Sequence, residues 1–306
     1  MPKVYQGSAA YPSPPPRPVV TIGNFDGVHL GHRVLLGRAV QLARTLGVPA
    51  CAFTFHPAPR DVLRPGNPIS RIQTLDDRIA SLGRVGIDHV VVEPFTMELS
   101  RRSPSWFAQE VLGSRLGASA VIVGWDFRFG QGRAGTAVAL RELMDVAVEQ
   151  IEAQELGGGV VSSSRIREAV AAGSVDLAGV LLGRPHQVVG TVVPGDKRGR
   201  TIGFPTANVH PDTPLLPGAG VYAVRVELDG ELVDGMANVG VRPTFGGGKT
   251  LLEVHLFGFS GDLYGRVLRV AFLGRLRDER TFDGVDSLVV QLNEDRQAAI
   301  ALLEQG

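Results

Sequence analysis

The alternation of short apolar runs with helical patterns is the feature that most limits how this chain can fold. Within residues 19–183, the runs VVTIG, PACAFTF, HVVVEPF and SAVIVG are separated by stretches with apolar residues at helical spacing. Strands that are apolar along their whole length must be covered on both faces, and helices between them supply that cover. The first half of the chain, residues 1–183, is therefore predicted to be an α/β domain built on a parallel sheet.

The pattern changes after residue 183, where strand-like runs follow one another without long helices between them. These runs, separated by Gly, Pro and Asp, are HQVVGTVV, GVYAVRVEL, ELVDGMANVG, TLLEVHLF and RVLRVAFL. Asp229-Gly230 lies between two of them and is a strong signal for a tight hairpin turn. Residues 184–306 are therefore predicted to form a small antiparallel barrel, with a closing helix over residues 286–303.

The first helix is marked by its spacing. Leu35, Ala39, Leu42 and Leu46 are four, three and four positions apart, which predicts one buried helix face after VVTIG. Gly47 is a suitable residue to end this helix. The segments SSSRIREAVAAG and DLAGVLLG predict two short helices just before the change of pattern.

Charge and cysteine content exclude several classes of protein. Lys plus Arg and Asp plus Glu each number 31, so the formal net charge is zero, whereas a binder of duplex nucleic acid normally carries a basic excess. Cys51 is the one cysteine, which rules out an internal disulfide. The sequence has neither a long apolar span nor an apolar signal core at its N-terminus. We therefore expect no nucleic-acid partner, no membrane partner and a cytoplasmic location.

The stretch GNFDGVHLGH, residues 23–32, predicts a phosphate-binding turn where a strand is followed by a helix. Glycines in such a turn let the backbone approach a ligand, and the N–H groups at a helix N-terminus attract an anion. His29 and His32 would add side-chain donors at the same place. Two alternatives stay open: packing histidines, or zinc ligands. A zinc site would need two or three further ligands, and no other His or Cys pair has suitable spacing.

Two other glycine-rich stretches match nucleotide-binding patterns only in part. GQGRAG, residues 130–135, fits G-x-G-x-x-G, but WDFRF separates it from the strand AVIVG, whereas the dinucleotide fingerprint lies in the strand-to-helix turn itself. GGGKT, residues 246–250, resembles the end of a P-loop, yet Pro243 takes the place of the first glycine and a strand-like run follows. We therefore predict neither dinucleotide binding nor a P-loop, and a hairpin connection at the second stretch.

The segment VSSSRIR, residues 161–167, is a second candidate for phosphate contact. It places Ser162, Ser164 and Arg167 around the predicted start of a helix. Hydroxyl groups and a guanidinium suit phosphate oxygens, to which they donate charge-assisted hydrogen bonds. The alternative is a serine that caps the helix beside a solvated arginine.

Taken together, these motifs resemble one known family. GNFDGVHLGH, VGWDFRFG and VSSSRIREAV are similar to the nucleotidylyltransferase half of bacterial bifunctional riboflavin kinase/FMN adenylyltransferases, also called FAD synthetases. GRPHQVVGTVVPGDKRGRTIGFPTAN, MANVGVRPTFG, LLEVHL, GDLYG and LRDERTF follow in the order of the riboflavin kinase module, so the resemblance covers residues 19–299. It implies a Rossmann-like nucleotidylyltransferase domain with a parallel sheet, then a small antiparallel β-barrel riboflavin kinase domain with a C-terminal helix.

The resemblance implies specific roles in the first domain. His29, His32 and Arg167 would be catalytic, stabilising charge as the FMN phosphate attacks the α-phosphorus of ATP and pyrophosphate leaves. Asp126 and Phe129 fall in the segment that lines the flavin pocket. The remaining residues implied to contact ATP phosphates in this domain are Gly23, Asn24, Phe25, Gly31, Ser162 and Ser164.

The resemblance also implies roles in the second domain. Glu253 would be the general base that takes the proton from the 5′-hydroxyl of riboflavin as it attacks the γ-phosphate. Thr206 and Asn208 would hold Mg²⁺ with the nucleotide phosphates, since hard oxygen ligands suit that ion. The residues implied to cover the ATP phosphates are Gly199, Arg200 and Thr201, with Lys197 as a further candidate. Those implied to bind the flavin are Arg277 and Phe282.

The expected activity is thus two consecutive steps: riboflavin and ATP give FMN, then FMN and ATP give FAD and pyrophosphate. One departure from the family concerns the first domain, where FHPAPR has Ala58 in place of a histidine that is usual in the family. A kinase with an impaired transferase domain is therefore one alternative, and a flavin-binding regulator without turnover is another. The sequence leaves the oligomeric state open.

Overall fold

The computed structural model of the protein describes residues 1–195, 198–213, 215–242 and 249–305. The chain divides into two compact units. The first contains residues 1–69 and 75–162, and the second contains residues 70–74 and 163–306. The predicted division of catalytic modules at residue 183 stays a prediction, because the two units describe compactness and not activity.

The first unit is built on a parallel sheet, as the sequence predicts. Its strands are β1 (Lys3–Gln6), β2 (Val19–Ile22), β3 (Ala50–Phe55), β4 (His89–Glu93), β5 (Ala120–Gly124) and β6 (Ala147–Ile151). They pair in the order β1-β4-β3-β2-β5-β6, and every neighbouring pair is parallel. The two edge strands, β1 and β6, were not predicted. Neither contains a buried residue, so neither shows the continuous apolar run that marks a central strand.

Helices cover this sheet and connect its strands. They are α1 (Leu30–Leu46), α2 (Pro59–Leu63), α3 (Leu75–Val85), α4 (Met97–Ser100), α5 (Pro104–Trp106) and α6 (Ala137–Leu143). A π-helical segment, Phe107–Arg115, continues α5, and single 3₁₀ turns occupy Ser8–Ala10 and Gln131–Arg133. The GQGRAG stretch lies in the last of these turns and not at a strand-to-helix junction, in agreement with the sequence argument.

The buried face of α1 differs from the predicted one at its C-terminal end. Leu35, Leu36, Ala39 and Ala43 are buried, whereas Leu46 is 49% exposed. The prediction for Leu46 is wrong because positions four apart, from Leu35 to Ala43, keep to the sheet-facing side, and the last turn is where the helix leaves the sheet. The helix ends as predicted at the next residue, a glycine with φ of 67°.

The second unit contains a closed antiparallel barrel, which confirms the predicted fold class. Its elements are α7 (Ser163–Ala171), α8 (Val175–Leu182), β7 (His186–Val193), α9 (Arg198–Thr201), β8 (Ala207–Pro211), β9 (Gly220–Leu228), β10 (Glu231–Arg242), β11 (Lys249–Leu256), β12 (Val267–Arg277) and α10 (Val285–Leu303). The strand order around the barrel is β10-β11-β8-β7-β12-β9. Both short helices and the closing helix lie where the sequence places them.

Local chemistry explains the barrel's first hairpin and its closing helix. Asp229 and Gly230 join β9 to β10 with positive φ angles of 56° and 87°, the geometry of a two-residue turn whose twist matches the strands. The helix α10 packs Ala299 and Leu303 against the outer face of the barrel.

Most of the GGGKT stretch lies outside the described residues. Within the described part of the chain, every helix is too short or too polar to cross a membrane.

Candidate active sites

The turn between β2 and α1 brings His29 and His32 together. His29 is the N-cap residue of α1, and its Nδ1 accepts a hydrogen bond from the backbone N–H of His32 at 3.2 Å. The two imidazole rings are stacked, with centroids 3.6 Å apart and planes 17° from parallel. Because Nδ1 of His29 is an acceptor, a neutral His29 ring carries its proton on Nε2.

Burial sets the charge of His32. Loss of hydration lowers the pKa of His32 well below its usual range, and the neighbouring His29 lowers it further. Nδ1 of His32 is buried and has no hydrogen-bond partner among the residues that the structure describes. The pair therefore presents a neutral imidazole with an unused polar atom beside a helix N-terminus, where an anion is stabilised. No group of three or more His, Cys, Asp or Glu side chains within the described ranges could hold a metal ion.

A side chain at Gly23 or Gly31 would crowd other atoms of the protein. A Cβ atom on Gly23 would lie 2.9 Å from the ring of Phe25, a buried residue with φ of 49°. A Cβ atom on Gly31 would lie 3.3 Å from the carbonyl oxygen of Val161 and 3.4 Å from the ring of His29. The sequence argument assigned these glycines to the close approach of a ligand. Their observed effect is to keep the turn compact, which holds the histidines in place.

The backbone of Asn24 is fixed by two side chains that the sequence analysis missed. Its carbonyl oxygen accepts hydrogen bonds from Nη1 of Arg78 at 2.7 Å and from Oγ1 of Thr54 at 3.3 Å. Arg78 lies on α3 and is only 6% exposed. Its position between Leu75 and Leu82, on the apolar side of that helix, was a usable signal, because a buried arginine needs partners.

The segment after β5 places Asp126 at the surface and Phe129 in the interior. Phe129 is 7% exposed, its ring stacks on Phe127 with centroids 5.3 Å apart, and its backbone exchanges two hydrogen bonds with Gly135. Asp126 is exposed, and so is the ring of Trp125 beside it. Phe129 therefore anchors this loop from the inside, while Asp126 faces solvent.

The VSSSRIR segment is shared by the two units. Ser162 is the last residue of the first unit, and α7 begins one residue later in the second. Ser164 is exposed in the first turn of α7, and Arg167 is half-buried. Nε of Arg167 donates a hydrogen bond to the backbone carbonyl of Ser70 at 3.0 Å, within the second unit. This contact orients the Arg167 guanidinium relative to the helix that carries it.

A row of polar side chains crosses the outer face of the barrel. In the antiparallel register, Glu253 on β11 lies opposite Asn208 on β8 and opposite Asn238 on β10. The neighbours of Glu253 in sequence, Leu252 and Val254, are buried in the barrel interior, so the three polar side chains share the outward face. All three are half-buried. Strand register therefore makes the predicted base and a predicted metal ligand neighbours, and it adds Asn238, which was not identified from the sequence.

The loop before β8 is held by close backbone contacts. The N–H of Phe204 donates to the carbonyl of Gly199 at 2.9 Å, and a Cβ atom on Gly199 would overlap the carbonyl oxygen of Phe204. Nδ1 of His255 donates to the carbonyl of Pro205 at 2.8 Å. Burial lowers the pKa of His255, which keeps its ring neutral. Thr206 follows directly and is exposed at the start of β8.

The segment between β7 and β8 contains the other predicted phosphate contacts. Arg200 and Thr201 end α9 and are exposed, whereas Lys197 lies outside the described residues. A Cβ atom on Gly195 would overlap the side-chain amide of Asn208. Gly195 is therefore a residue that the sequence analysis missed, because its importance depends on where Asn208 points.

Arg277, predicted to contact the flavin, is engaged by the C-terminal helix. Its guanidinium donates to both carboxylate oxygens of Asp295 over distances between 2.8 and 3.1 Å, and Asp295 is only 3% exposed. Gln291 donates to the same carboxylate at 2.8 Å. Phe282 is half-buried, with its ring centroid 5.7 Å from the Arg277 guanidinium carbon. Arg277 thus joins β12 to α10, and Phe282 packs beside it.

Comparison with known proteins identifies relatives of both units. A family model for FAD synthetase matches residues 12–165, and one for riboflavin kinase matches residues 182–303. The chain is 43% identical over 288 residues to the bifunctional riboflavin kinase/FMN adenylyltransferase of Pseudomonas fluorescens, covering 93% of this chain and 92% of that protein. It is 39% identical over 293 residues to the protein of that name from Bacillus subtilis, with coverages of 92% and 91%.

A solved structure has the same fold. The crystal structure of a macrolide-efflux protein from Streptococcus pneumoniae matches 97% of this chain and 97% of its own, with a TM-score of 0.90 and 34% sequence identity. Both the parallel-sheet unit and the barrel are included in that coverage. The architecture described above is therefore shared with an experimentally determined structure over nearly the whole chain.

Proposed function

Because the chain belongs to the bifunctional riboflavin kinase/FMN adenylyltransferase family, we propose that its barrel phosphorylates riboflavin and its parallel-sheet unit adenylylates the FMN produced. The substrates and products are then riboflavin, ATP, FMN, FAD and the ADP and pyrophosphate released. A cytoplasmic location, where ATP is available, is part of this proposal.

In the parallel-sheet unit, we assign His29 and His32 to the phosphates of ATP. The N–H groups at the N-terminus of α1 and the imidazoles beside them are suited to negative charge that builds up on the α-phosphate. The family resemblance also assigns Arg167, which α7 carries in the second unit, to phosphate contact in this reaction. The proposed remaining contacts in this reaction are Gly23, Asn24, Phe25, Gly31, Ser162 and Ser164 for ATP, and Asp126 and Phe129 for the flavin.

In the barrel, we assign Glu253 as the base for the 5′-hydroxyl of riboflavin. The neighbouring oxygen atoms of Asn208 and Thr206 fit a hard cation: the Asn208 amide is half-buried beside Glu253, and the Thr206 hydroxyl is exposed at the strand start. When bound there with nucleotide phosphates, Mg²⁺ would neutralise charge on the transferred phosphoryl group. The proposed remaining contacts are Gly199, Arg200 and Thr201 for ATP, and Arg277 and Phe282 for the flavin.

The observation that most strongly supports the kinase assignment is the register of β8 and β11. It places Glu253 directly opposite Asn208 on one face, so a proton acceptor and an oxygen ligand are held side by side by main-chain pairing. Phosphoryl transfer depends mainly on positioning and charge stabilisation, and rigid strands supply the first of these. Binding of a flavin alone would not require this pair.

A time course of products tests the proposal. Purified protein is incubated with riboflavin, ATP and Mg²⁺, and FMN and FAD are resolved by chromatography. We expect FMN to appear first and FAD to follow at its expense. If neither product forms, the chain is a flavin-binding protein without turnover and the proposal is wrong.

One observation favours a second candidate, a kinase with an impaired transferase unit. Ala58 is buried at the N-cap of α2 and makes no side-chain capping hydrogen bond. Ala58 therefore cannot supply the side-chain hydrogen bonds that a histidine at that position could make. Accumulation of FMN without FAD in the same time course would identify this candidate.

A further inference from the structure

We propose that Asn238 and Glu279 are positioning residues that hold the carboxylate of Glu253 in place for the kinase step. This inference rests on the proposed function, because it concerns the same base. It adds two side chains to which the family motifs assigned no role. Asn238 comes from the strand on the far side of Glu253 from Asn208, and Glu279 comes from the segment after β12.

Asn238 lies where a side-chain amide can reach Glu253. The two residues are direct partners in the pairing of β10 with β11, and paired residues in an antiparallel sheet have side chains on the same face, about 5 Å apart at Cβ. An asparagine amide has two N–H donors, whereas an ionised carboxylate only accepts. Asn238 can therefore donate one hydrogen bond to Glu253 and another to Glu279.

Glu279 is the second carboxylate beside Asn238. Nδ2 of Asn238 donates to Oε1 of Glu279 at 3.5 Å, the long limit for such a bond. This contact directs the Nδ2 end of the Asn238 amide towards Glu279. Glu279 itself follows Arg277 by two residues, and Arg277 is clamped to Asp295 on α10. The position of Glu279 is therefore set by an anchored piece of backbone.

Gly240 makes this arrangement possible. A Cβ atom on Gly240 would collide with Oε1 of Glu279 and would lie 3.3 Å from Nδ2 of Asn238. Gly240 does not have a positive φ, and a glycine inside a strand normally weakens it. The carboxylate of Glu279, at the end of an exposed side chain, occupies the space over β10 that a side chain at residue 240 would take.

The position of a general base determines how well it works. Such a base contributes about 10²–10⁴-fold to a rate, and that contribution depends on alignment with the hydroxyl it deprotonates. Displacing Glu279 would let the Asn238 amide rotate, and the contact that we propose between Asn238 and Glu253 would then be weakened. We expect the turnover number for FMN formation to fall while the KM values for riboflavin and ATP stay within about twofold, since both residues are proposed to act through Glu253 and not on a substrate.

The test uses Gly240→Ala, which introduces only the colliding methyl group. We expect it to lower kcat for FMN formation about tenfold and to leave conversion of FMN to FAD in the other unit unchanged. Gly284→Ala is the matched control, because a Cβ atom there meets nothing within 4 Å; it should leave both rates unchanged. Circular dichroism and the thermal midpoint check that the variants remain folded.

A double-mutant cycle tests whether the methyl group of Gly240→Ala acts through Glu279. Glu279→Ala should reproduce most of the loss, and Gly240→Ala should add nothing in that background, because its collision partner is gone. Asn238→Ala should also lower kcat and abolish the effect of Gly240→Ala. A normal rate for Gly240→Ala, or losses that multiply in the double variant, would overturn the positioning role.

Failure of this inference can be distinguished from failure of the proposed function. If Glu253→Gln abolishes FMN formation but Gly240→Ala is normal, the base assignment stands and only the positioning role is lost. If Glu253→Gln retains FMN formation, the base is misassigned and the proposed kinase site is wrong.

Discussion

The stability of the barrel should fall as pH decreases because of one buried histidine. His186 begins β7, is 0% exposed and pairs with Phe272 on β12. Its Nε2 donates to the carbonyl of Leu215 at 3.0 Å, while its Nδ1 has no hydrogen-bond partner in the described part of the chain. Protonation would place a charge and an unsatisfied N–H inside the protein. Burial accordingly lowers the pKa of His186 to about 4.

The magnitude follows from linkage between protonation and folding. In the unfolded chain, His186 titrates near 6.5, so the unfolded state binds more protons between pH 6.5 and about 4. The contribution of His186 to stability is therefore complete above pH 6.5 and declines as pH falls through this window. The expected loss is about 2 kcal/mol between pH 8 and pH 5, and about 3 kcal/mol over the whole window.

Native-state hydrogen exchange of amides in β7 and β12, corrected for intrinsic rates at each pH, measures this loss. His186→Gln is the reference, since a glutamine amide keeps a donor for the Leu215 carbonyl and does not titrate. The difference in opening free energy between wild type and this variant should shrink by about 2 kcal/mol from pH 8 to pH 5. His186→Leu serves as a second non-titrating reference. Parallel pH dependences in wild type and both variants would show that protonation of His186 does not cause the loss of stability.

Three further substitutions test other contacts. Gly195→Ala places a methyl group where the Asn208 amide lies, so FMN formation should need more Mg²⁺ while conversion of FMN to FAD is unaffected; an unchanged Mg²⁺ dependence contradicts this. Asp295→Ala leaves the Arg277 guanidinium, 17% exposed, without its carboxylate partner, which should cost about 3–5 kcal/mol of unfolding free energy in urea. Asp234 pairs with Arg225, and its side chain is 42% exposed. Asp234→Ala should therefore cost less than about 1 kcal/mol of unfolding free energy. Equal losses in the Asp295 and Asp234 variants would contradict this difference between a buried and an exposed ion pair.

The central strands, the barrel and the closing helix could be predicted because their signals are local. A strand buried on both faces is apolar throughout, as VVTI is, and the hairpin at Asp229-Gly230 needs two residues that tolerate positive φ. The edge strands β1 and β6 lack such signals, because a half-exposed strand does not need apolar residues at every position. Helix spacing likewise failed at Leu46, where the sheet no longer lies beside α1.

The candidate sites could be predicted only in part, because their geometry also depends on contacts between residues that are far apart in the sequence. Spacing brings His29 and His32 onto one turn, but their stacking and the capping bond depend on the loop geometry. In the barrel, Asn238 and Gly195 are far from their partners in the sequence. Their importance arises from strand register and side-chain direction, which a single sequence does not encode locally. Recognition of family motifs supplied Glu253, but not the residues that surround it.

We propose that two separate sites carry out the two consecutive reactions. The most direct test measures FMN formation from riboflavin, and FAD formation from added FMN, in Glu253→Gln and in His29→Ala. Glu253→Gln should lose FMN formation and retain conversion of FMN to FAD, whereas His29→Ala should retain FMN formation and lose conversion to FAD. Loss of both activities in either folded variant would contradict the claim.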